Sequence, residues 1–521
     1  MIDSTAILVG IDVHGIQKYL FATTKLREVI GASRIVDDFT GAETDDIPRY
    51  ILDGDLKLKA CLSGVPTGEH WYVPVRLGGG VIRVLLPNIE LAKQFIMQMS
   101  KWATENAAGL EYDASWVNFN IASGGIEIAF PELIQKINSE RMLTSRGNGF
   151  CGFPFTAPCV LTGDPAANYG KTMNERLCDA SLDKRDYQAK SEKRDRWAEI
   201  LAESSILEFP KIDKNMPFIF DTDQLGGDQD GGAYMAVVAI DLNSLGEKSR
   251  KATGSLVGCE ALHKFRAFTE EVTKATRKAF RDTLDNLQAG SDTFSFDILR
   301  DCAEATGHLP IRPLVFGGDD LTFLMDARLA VGFTHDIMES FDKQKYLGAA
   351  GMAFVKTKSP LSRAIDLAES LVANGKKSGR EESRIDFMLC SGEIPADVDC
   401  GRADRNRDNI FLTLNPYTLS KFQQLTRDAA NLKLLSRSHV RGAVDRYREN
   451  LDSAHIALNN LRENLMRGIG TAKPLDVAQR TKLASFLEEK FIKAETGTKP
   501  ATRYLDCVDL FRFIADPKEA R

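Results

Sequence analysis

The sequence predicts an α+β fold: two related ferredoxin-like sheets, a linking insert between them and an all-helical C-terminal domain. Three observations predict it. Apolar runs and helix-spaced stretches recur twice in the order βαββαβ. Each repeat has a glycine break between two strand-like runs, Gly78-Gly79-Gly80 in the first and Gly317-Gly318-Asp319-Asp320 in the second. Past about Tyr417 the patterns are helical with no strand signal.

In the first unit, residues 1–144, the run ILVGID (7–12) is near-continuously apolar and ends in Asp12, as a buried strand does. The next apolar positions fall at helical spacing from Ile16 to Ile35. EHWYVPVR and VIRVLLP flank the three glycines as a hairpin, and NIELAKQFIMQMSKWATENA reads as an amphipathic helix. The insert, residues 145–232, holds the stretch GFCGFPFTAPCVLTGDP, the charge-dense run LDKRDYQAKSEKRDR (182–196) and the loop-like DTDQLGGDQDGG. Mixed charge of that kind reads as a solvated helix face, with an RNA-contacting face as the sharper alternative.

The second unit, residues 233–416, begins with the strand YMAVVAID, continues helically to about Leu287, and reaches the hairpin IRPLVFGGDDLTFLM. A helix, the strand LGAAGMAFVK, the helix PLSRAIDLAESLVANGKK and the strand SRIDFMLC follow. Helices on one face of each sheet are expected. Residues 417–521 form the helical domain, locally basic at Arg427, Lys433, Arg437, Arg441, Arg446 and Arg448 but interleaved with acids such as Asp428 and Asp445.

A chain of 521 residues has room for about three or four domains. Its 43% hydrophobic and 27% charged content is that of a soluble globular protein, and a net charge of −6 excludes a global basic field for nucleic acid. Nine cysteines with no CxxC pair suit a reducing cytoplasm. No run of about 18 apolar residues occurs, so neither membrane insertion nor secretion is expected.

The tip of the second hairpin carries the chemistry. Gly and Asp are ordinary turn residues, yet these carboxylates project from strongly apolar flanks, a costly placement without a ligand. Adjacent carboxylates hold hard divalent cations, and Gly317 and Gly318 let the backbone approach a triphosphate. Asp241 ends the neighbouring strand and is the candidate third carboxylate, so Asp241, Asp319 and Asp320 are the candidate catalytic and metal-binding residues. The turn after it, with Asn243 and Ser244, offers amides to phosphates, and Lys376 is placed to reach a β- or γ-phosphate. Capping of the helix C-terminus is the alternative reading of Lys376.

The segments GIDVHGIQKYLFATTKLREVIGAS, AIDLNSLG, FGGDDLTFLM, GMAFVKTKSPLSRAIDLAESLVANGKK, RIDFMLCSG and NPYTLSKFQQL together resemble the large polymerase-cyclase subunit of type III CRISPR effector complexes. The resemblance covers most of the chain. It implies two palms, a zinc-binding insert, a helical C-terminal domain and synthesis of cyclic oligoadenylates from ATP with two Mg²⁺ or Mn²⁺. It assigns Asp241, Asp319 and Asp320 to the metals, Gly317 and Gly318 to the triphosphate approach and Lys376 to a phosphate, and sets Ser391 near the base pocket. The first palm, with LGGGVIRVLLP where GGDD would stand, resembles the family's non-catalytic palm.

Two features depart from the family. The histidine-aspartate nuclease domain is not expected, because the first palm strand begins within ten residues of Met1; His335-Asp336 sits in a helix without partner histidines. DNA cleavage is therefore not expected. In the insert, Cys151, Cys159 and Cys178 stand in the right region, but Thr162 occupies the second position of a CxxC pair, so zinc is not expected.

The leading expectation is a cytoplasmic, ATP-using nucleotidyltransferase that makes cyclic or linear oligoadenylates in antiphage defence. Its expected partners are ATP and either guide or target RNA with other CRISPR effector subunits, or none if it is free-standing. A GGDEF-type cyclic dinucleotide synthase shares the chemistry but pairs two copies of one palm. A non-catalytic RNA- and protein-binding scaffold has no use for clustered carboxylates beside a phosphate-binding turn.

Overall fold

The structure is a computed structural model that describes all residues except 1–4, 24, 42–45, 53, 55, 144–155, 170–174, 191–194, 226–232, 290–292, 319, 408–409, 493–501 and 515–521. The first sheet contains β1 (Thr5–His14), β2 (Trp71–Gly78), β3 (Val81–Leu86) and β4 (Glu111–Asn120). They lie in the antiparallel order β2-β3-β1-β4, with a two-residue strand, Lys59–Ala60, added beside β2. The second contains β5 (Tyr234–Leu242), β6 (Ile311–Gly317), β7 (Asp320–Asp326), β8 (Gly348–Lys356) and β9 (Arg384–Leu389). Its order is β6-β7-β5-β8-β9, with Tyr417–Thr418 at the edge. The first four strands of each unit thus follow one permutation, that of the ferredoxin-like fold. In the second, β9 joins parallel to β8 through the crossover helix Leu361–Lys377.

Local chemistry starts and stops these elements. Asn88 caps the helix Ile89–Asn106 by accepting from the Leu91 amide at 3.0 Å, and Asp326 caps Ala327–Lys343 through the Arg328 amide at 3.0 Å. Pro360 stands at the N-cap of Leu361–Lys377, where its missing N–H removes no intrahelical hydrogen bond.

Each sheet is covered on both faces, where helices on one face were expected. Along β5, Ala236, Val238, Ile240 and Leu242 pack with the helices Gly258–Gln288 and Ala327–Lys343. Met235, Val237 and Ala239 face the helix Leu361–Lys377 and share a core with Val9, Ile11, Val29 and Ile35 of the first unit. Burial on both faces explains why β5 reads as a continuous apolar run rather than an alternating one. The first sheet is likewise closed by the helix Leu26–Thr40 on one side and Ile126–Leu143 on the other.

The insert is more tightly bound than its composition suggests. Lys184, read as part of a solvated face, is 3% exposed, and its ammonium donates to the Tyr19 carbonyl at 2.6 Å. Arg185 beside it bonds Glu28 and Glu175, each at 2.6 Å. The run therefore clamps the helix Asp179–Lys190 onto the first unit through charge-assisted hydrogen bonds, even though burial disfavours the charged form of Lys184. Further on, Trp197, Leu201, Ile206 and Phe218 enter the second sheet's core, and fully buried Arg312 of β6 forms an ion pair with Asp195.

The C-terminal helices Leu419–Leu432, Arg437–Glu449, Leu451–Met466, Val477–Leu487 and Tyr504–Leu510 continue that core through Leu425, Tyr447, Leu458 and Tyr504. Phe513 stacks on Phe354 of β8 with ring centroids 4.6 Å apart. Of the basic residues there, Lys433 donates to the Ile514 carbonyl, and Arg446 bonds Glu449. Among the described residues no helix is long and apolar enough to cross a membrane.

Candidate active site

The site is built from strand register. Asp241, next to last in β5, lies directly opposite Asp320, the first residue of β7. Directly opposed residues project from the same face with Cβ atoms about 5 Å apart, so the two carboxylates share one mouth at the sheet end. Asp320 is exposed, and Asp241 is about a third exposed. Asp319, the third carboxylate expected here, lies outside the described residues.

On its other side Asp241 neighbours Ala349 of β8, and the Lys376 ammonium forms an ion pair with its carboxylate. Lys376 comes so close because the helix lies nearly on the strand. A Cβ at Gly351 of β8 would fall 2.2 Å from the Ala368 carbonyl oxygen, so only glycine permits that packing. Lys376 thus holds one of the two carboxylates in an ion pair. His335 is not part of the site; it contacts Asp336 at 3.1 Å on the helix Ala327–Lys343.

Between β6 and β7, Gly317 pairs with Asp320 and leaves a two-residue turn that opens with Gly318 at φ 68°. Positive φ at the first central position is the geometry of the tight hairpin turn that matches strand twist. The Thr276 hydroxyl, from the helix Gly258–Gln288, donates to the Gly318 carbonyl at 2.6 Å and pins the turn. Asn243 is buried; its amide donates to the Leu347 carbonyl at 2.7 Å and its side-chain Nδ2 reaches the Arg380 carbonyl at 3.5 Å. Ser244 follows at φ 59° and starts the helix Leu245–Thr253 without capping it through its side chain.

Ser391 is placed elsewhere. Arg384 of β9 sits at the level of Ala349 and hence of Asp241, and β9 runs from there toward the far edge. Seven residues later, Ser391 lies roughly 20 Å along the sheet, at its opposite end. The correction follows from the parallel pairing of β8 and β9, which a motif match does not reveal.

The turn of the first sheet meets that of the second. A Cβ built on Gly317 would come 3.7 Å from the Cα of Gly79, and one on Gly79 would come 3.8 Å from the Cα of Gly317. Yet the two turns differ in charge. Asp12, the counterpart of Asp241 in strand order, faces Val81 where Asp241 faces Asp320. Its carboxylate is taken by buried Arg83 at 2.6 Å.

Beside the paired turns lies a cavity of about 480 Å³, lined by Gly78, Gly79, Gly317 and Gly318, by Leu245 and Gly246, and by one face of the helix Gly258–Gln288. That volume is within the usual range for small-ligand sites, about 300–1,000 Å³. Arg76, Arg266, Lys274 and Arg277 bring positive charge to it; among the described lining residues Glu270 is the one acid, and it is bonded to Arg266 at 2.6 Å. The Arg277 Nε is buried and has no hydrogen-bond partner among the described residues. Phe265 and Phe268 add an aromatic wall. None of these helix residues stood out in the sequence; a basic stripe at helical spacing (Arg266, Lys274, Arg277) was the available signal.

One further contact ties the units. Gln17, just past β1, donates to Glu369 of the helix Leu361–Lys377. Burial, reinforced by nearby Asp366, pushes the Glu369 carboxyl up to about 7.

No protein-family model matches the chain. No curated protein matches it either. Solved structures do. A crystal structure of the Csm1-Csm4 cassette in complex with cA3 aligns over 98% of this chain and 70% of that one, with a TM-score of 0.55 at 14% identity. The same cassette with AMPPNP gives 0.53 at 13% identity over 98% and 69%, and with cA4 it gives 0.51 at 14% over 98% and 70%. The likeness extends the resemblance carried by the sequence motifs to nearly the whole chain, which in fold is similar to Csm1, a Cas10 subunit of type III CRISPR complexes.

Proposed function

We propose that the protein is a nucleotidyltransferase of a type III CRISPR system that joins ATP into cyclic or linear oligoadenylates. The observation that carries this reading is the register of Asp241 against Asp320 beside a turn whose glycine backbone meets the glycine turn of the first sheet. The cassette structures with cA3, cA4 and AMPPNP support the choice of adenine nucleotides.

Asp241, Asp320 and Asp319 would hold the divalent cations: they are oxygen donors, the described pair shares one face, and both members are open to solvent. When bound, two Mg²⁺ or Mn²⁺ ions lower the pKa of the attacking 3′-hydroxyl and neutralise charge on the triphosphate. The residues of the chain do the rest. Lys376 orients the Asp241 carboxylate and stands within reach of a phosphate bound at the sheet end. Gly79 and Gly317 leave room for phosphates against the backbone. Arg76, Lys274 and Arg277 balance their charge, and Phe265 and Phe268 offer an apolar surface to a base. The first sheet binds without cations, since Arg83 already neutralises Asp12. RNA and neighbouring CRISPR subunits belong to this reading as partners.

The test is direct. Purified protein is incubated with each nucleoside triphosphate and Mg²⁺ or Mn²⁺, with and without RNA, and products are identified by mass spectrometry. ATP-derived oligomers that vanish in Asp241→Ala and Asp319→Ala/Asp320→Ala are expected. Identical behaviour of wild type and variants under every condition refutes catalysis and favours a scaffold.

A further inference from the structure

Two short segments of the insert repeat one spacing, Cys159-Val160-Leu161-Thr162 and Cys178-Asp179-Ala180-Ser181. The backbone folds the first into a tight turn: the Cys159 amide donates to the Asp164 carbonyl at 2.6 Å, the Gly163 amide returns to the Cys159 carbonyl at 3.0 Å, and Gly163 takes φ 79°. That turn is stitched to the strand entering the second segment by the Val160 amide on the Arg176 carbonyl at 3.0 Å and the Ala167 amide on the Leu177 carbonyl at 2.8 Å.

Four side chains converge as a result. Thr162 Oγ1 lies 3.5 Å from Cys178 Sγ, Cys178 Sγ lies 3.5 Å from Ser181 Oγ, and Ser181 Oγ lies 3.9 Å from Cys159 Sγ. The amides of Leu161 and Thr162 face the Cys159 sulfur. Cys159, Cys178 and Ser181 are buried. Amides directed at a sulfur and paired x-x spacings on two facing turns describe a tetrahedral metal knuckle, which takes four ligands, as a rule thiolates or imidazoles. Here a hydroxyl stands at each second position, and the donor set of the described residues does not fit zinc. Cys151 lies outside the described residues.

We infer that this cluster is a metal-free counterpart of a tetrahedral zinc site, in which hydroxyl–thiol hydrogen bonds join the two turns, and that it is one substitution per turn from binding zinc. The cluster runs directly into the helix Asp179–Lys190, so it sets the angle at which Lys184 and Arg185 grip the first unit.

The experiment uses the full chain. Metal content by mass spectrometry and thermal unfolding with and without a chelator are compared for wild type, Thr162→Cys/Ser181→Cys and Thr162→Val/Ser181→Ala, with Co²⁺ as optical probe. Wild type is expected to carry far less than one zinc per chain and to melt identically with chelator. The double cysteine variant is expected to bind one zinc, to melt higher until chelated, and to give a tetrahedral thiolate–Co²⁺ spectrum. The hydroxyl-deleted variant is expected to melt below wild type. Stoichiometric zinc in wild type, lost on chelation or in Cys151→Ser, overturns the inference. So does a folded double cysteine variant that takes up neither Zn²⁺ nor Co²⁺. If that variant does not fold, an unchanged melting temperature in Thr162→Val/Ser181→Ala overturns it, and a lowered one upholds it.

Discussion

Replacing Gly317 by alanine separates the fold from the proposed chemistry. The new methyl would lie 3.7 Å from Gly79 Cα and 4.0 Å from the Asp320 carbonyl oxygen, both ordinary contacts, and Gly317 is in β6 with no left-handed backbone to preserve. Stability should therefore hold or rise by about 0.4–1 kcal/mol, since alanine restricts the unfolded chain. The same methyl enters the narrow gap between the two turns, where the proposed reading brings phosphates against bare backbone. A displacement of about 1 Å there is worth ~100-fold in rate. Gly79→Ala is the companion: at φ 62° it costs roughly 1–2 kcal/mol of fold stability as well. The assays are thermal unfolding and oligoadenylate formation from ATP. Gly317→Ala that melts like wild type and retains the wild-type rate would refute the argument that ligand approaches this backbone.

Glu369→Gln should remove a pH dependence of stability. In the folded chain the carboxyl keeps its proton to about 7, whereas the unfolded chain releases it near 4.5, so wild type loses stability as pH rises between those values. The shift sets a ceiling of about 3 kcal/mol, reduced to ~1–2 kcal/mol by its partial exposure; denaturant unfolding at pH 4.5 and pH 8 should find the variant equal at the first and more stable at the second. Arg277→Met should raise KM for ATP about tenfold, equivalent to ~1.4 kcal/mol, with little change in kcat, as initial-rate kinetics will show; a wild-type KM removes the cavity from the substrate path. Asp195→Ala leaves the fully buried Arg312 without its counter-ion and should cost about 3–5 kcal/mol in urea unfolding.

Much of the fold was legible because its signals are local. The glycine breaks at 78–80 and 317–318 announce hairpins through turn chemistry, and the runs ending in Asp12 and Asp241 announce buried strands. The insert was not legible for the opposite reason. Lys184, Arg185 and Asp195 look like solvated charge until the partners that bury them, Tyr19, Glu28 and Arg312, arrive from far away in sequence. Ser391 was misplaced because its position depends on which strand β9 joins and in which direction.

By itself, then, the sequence determined the two βαββαβ units, the helical C-terminal part and the presence of an acidic turn in only one of them, since periodicity and turn residues act within a few positions. The tertiary structure alone decided that Asp241 stands opposite Asp320, that Lys376 closes on Asp241, that Arg83 disarms Asp12, and that Gly79 and Gly317 touch beside a basic cavity. Each of those facts is a pairing between distant segments. It is set by strand register and by the burial of both faces of each sheet, and neither is written in any one stretch of chain.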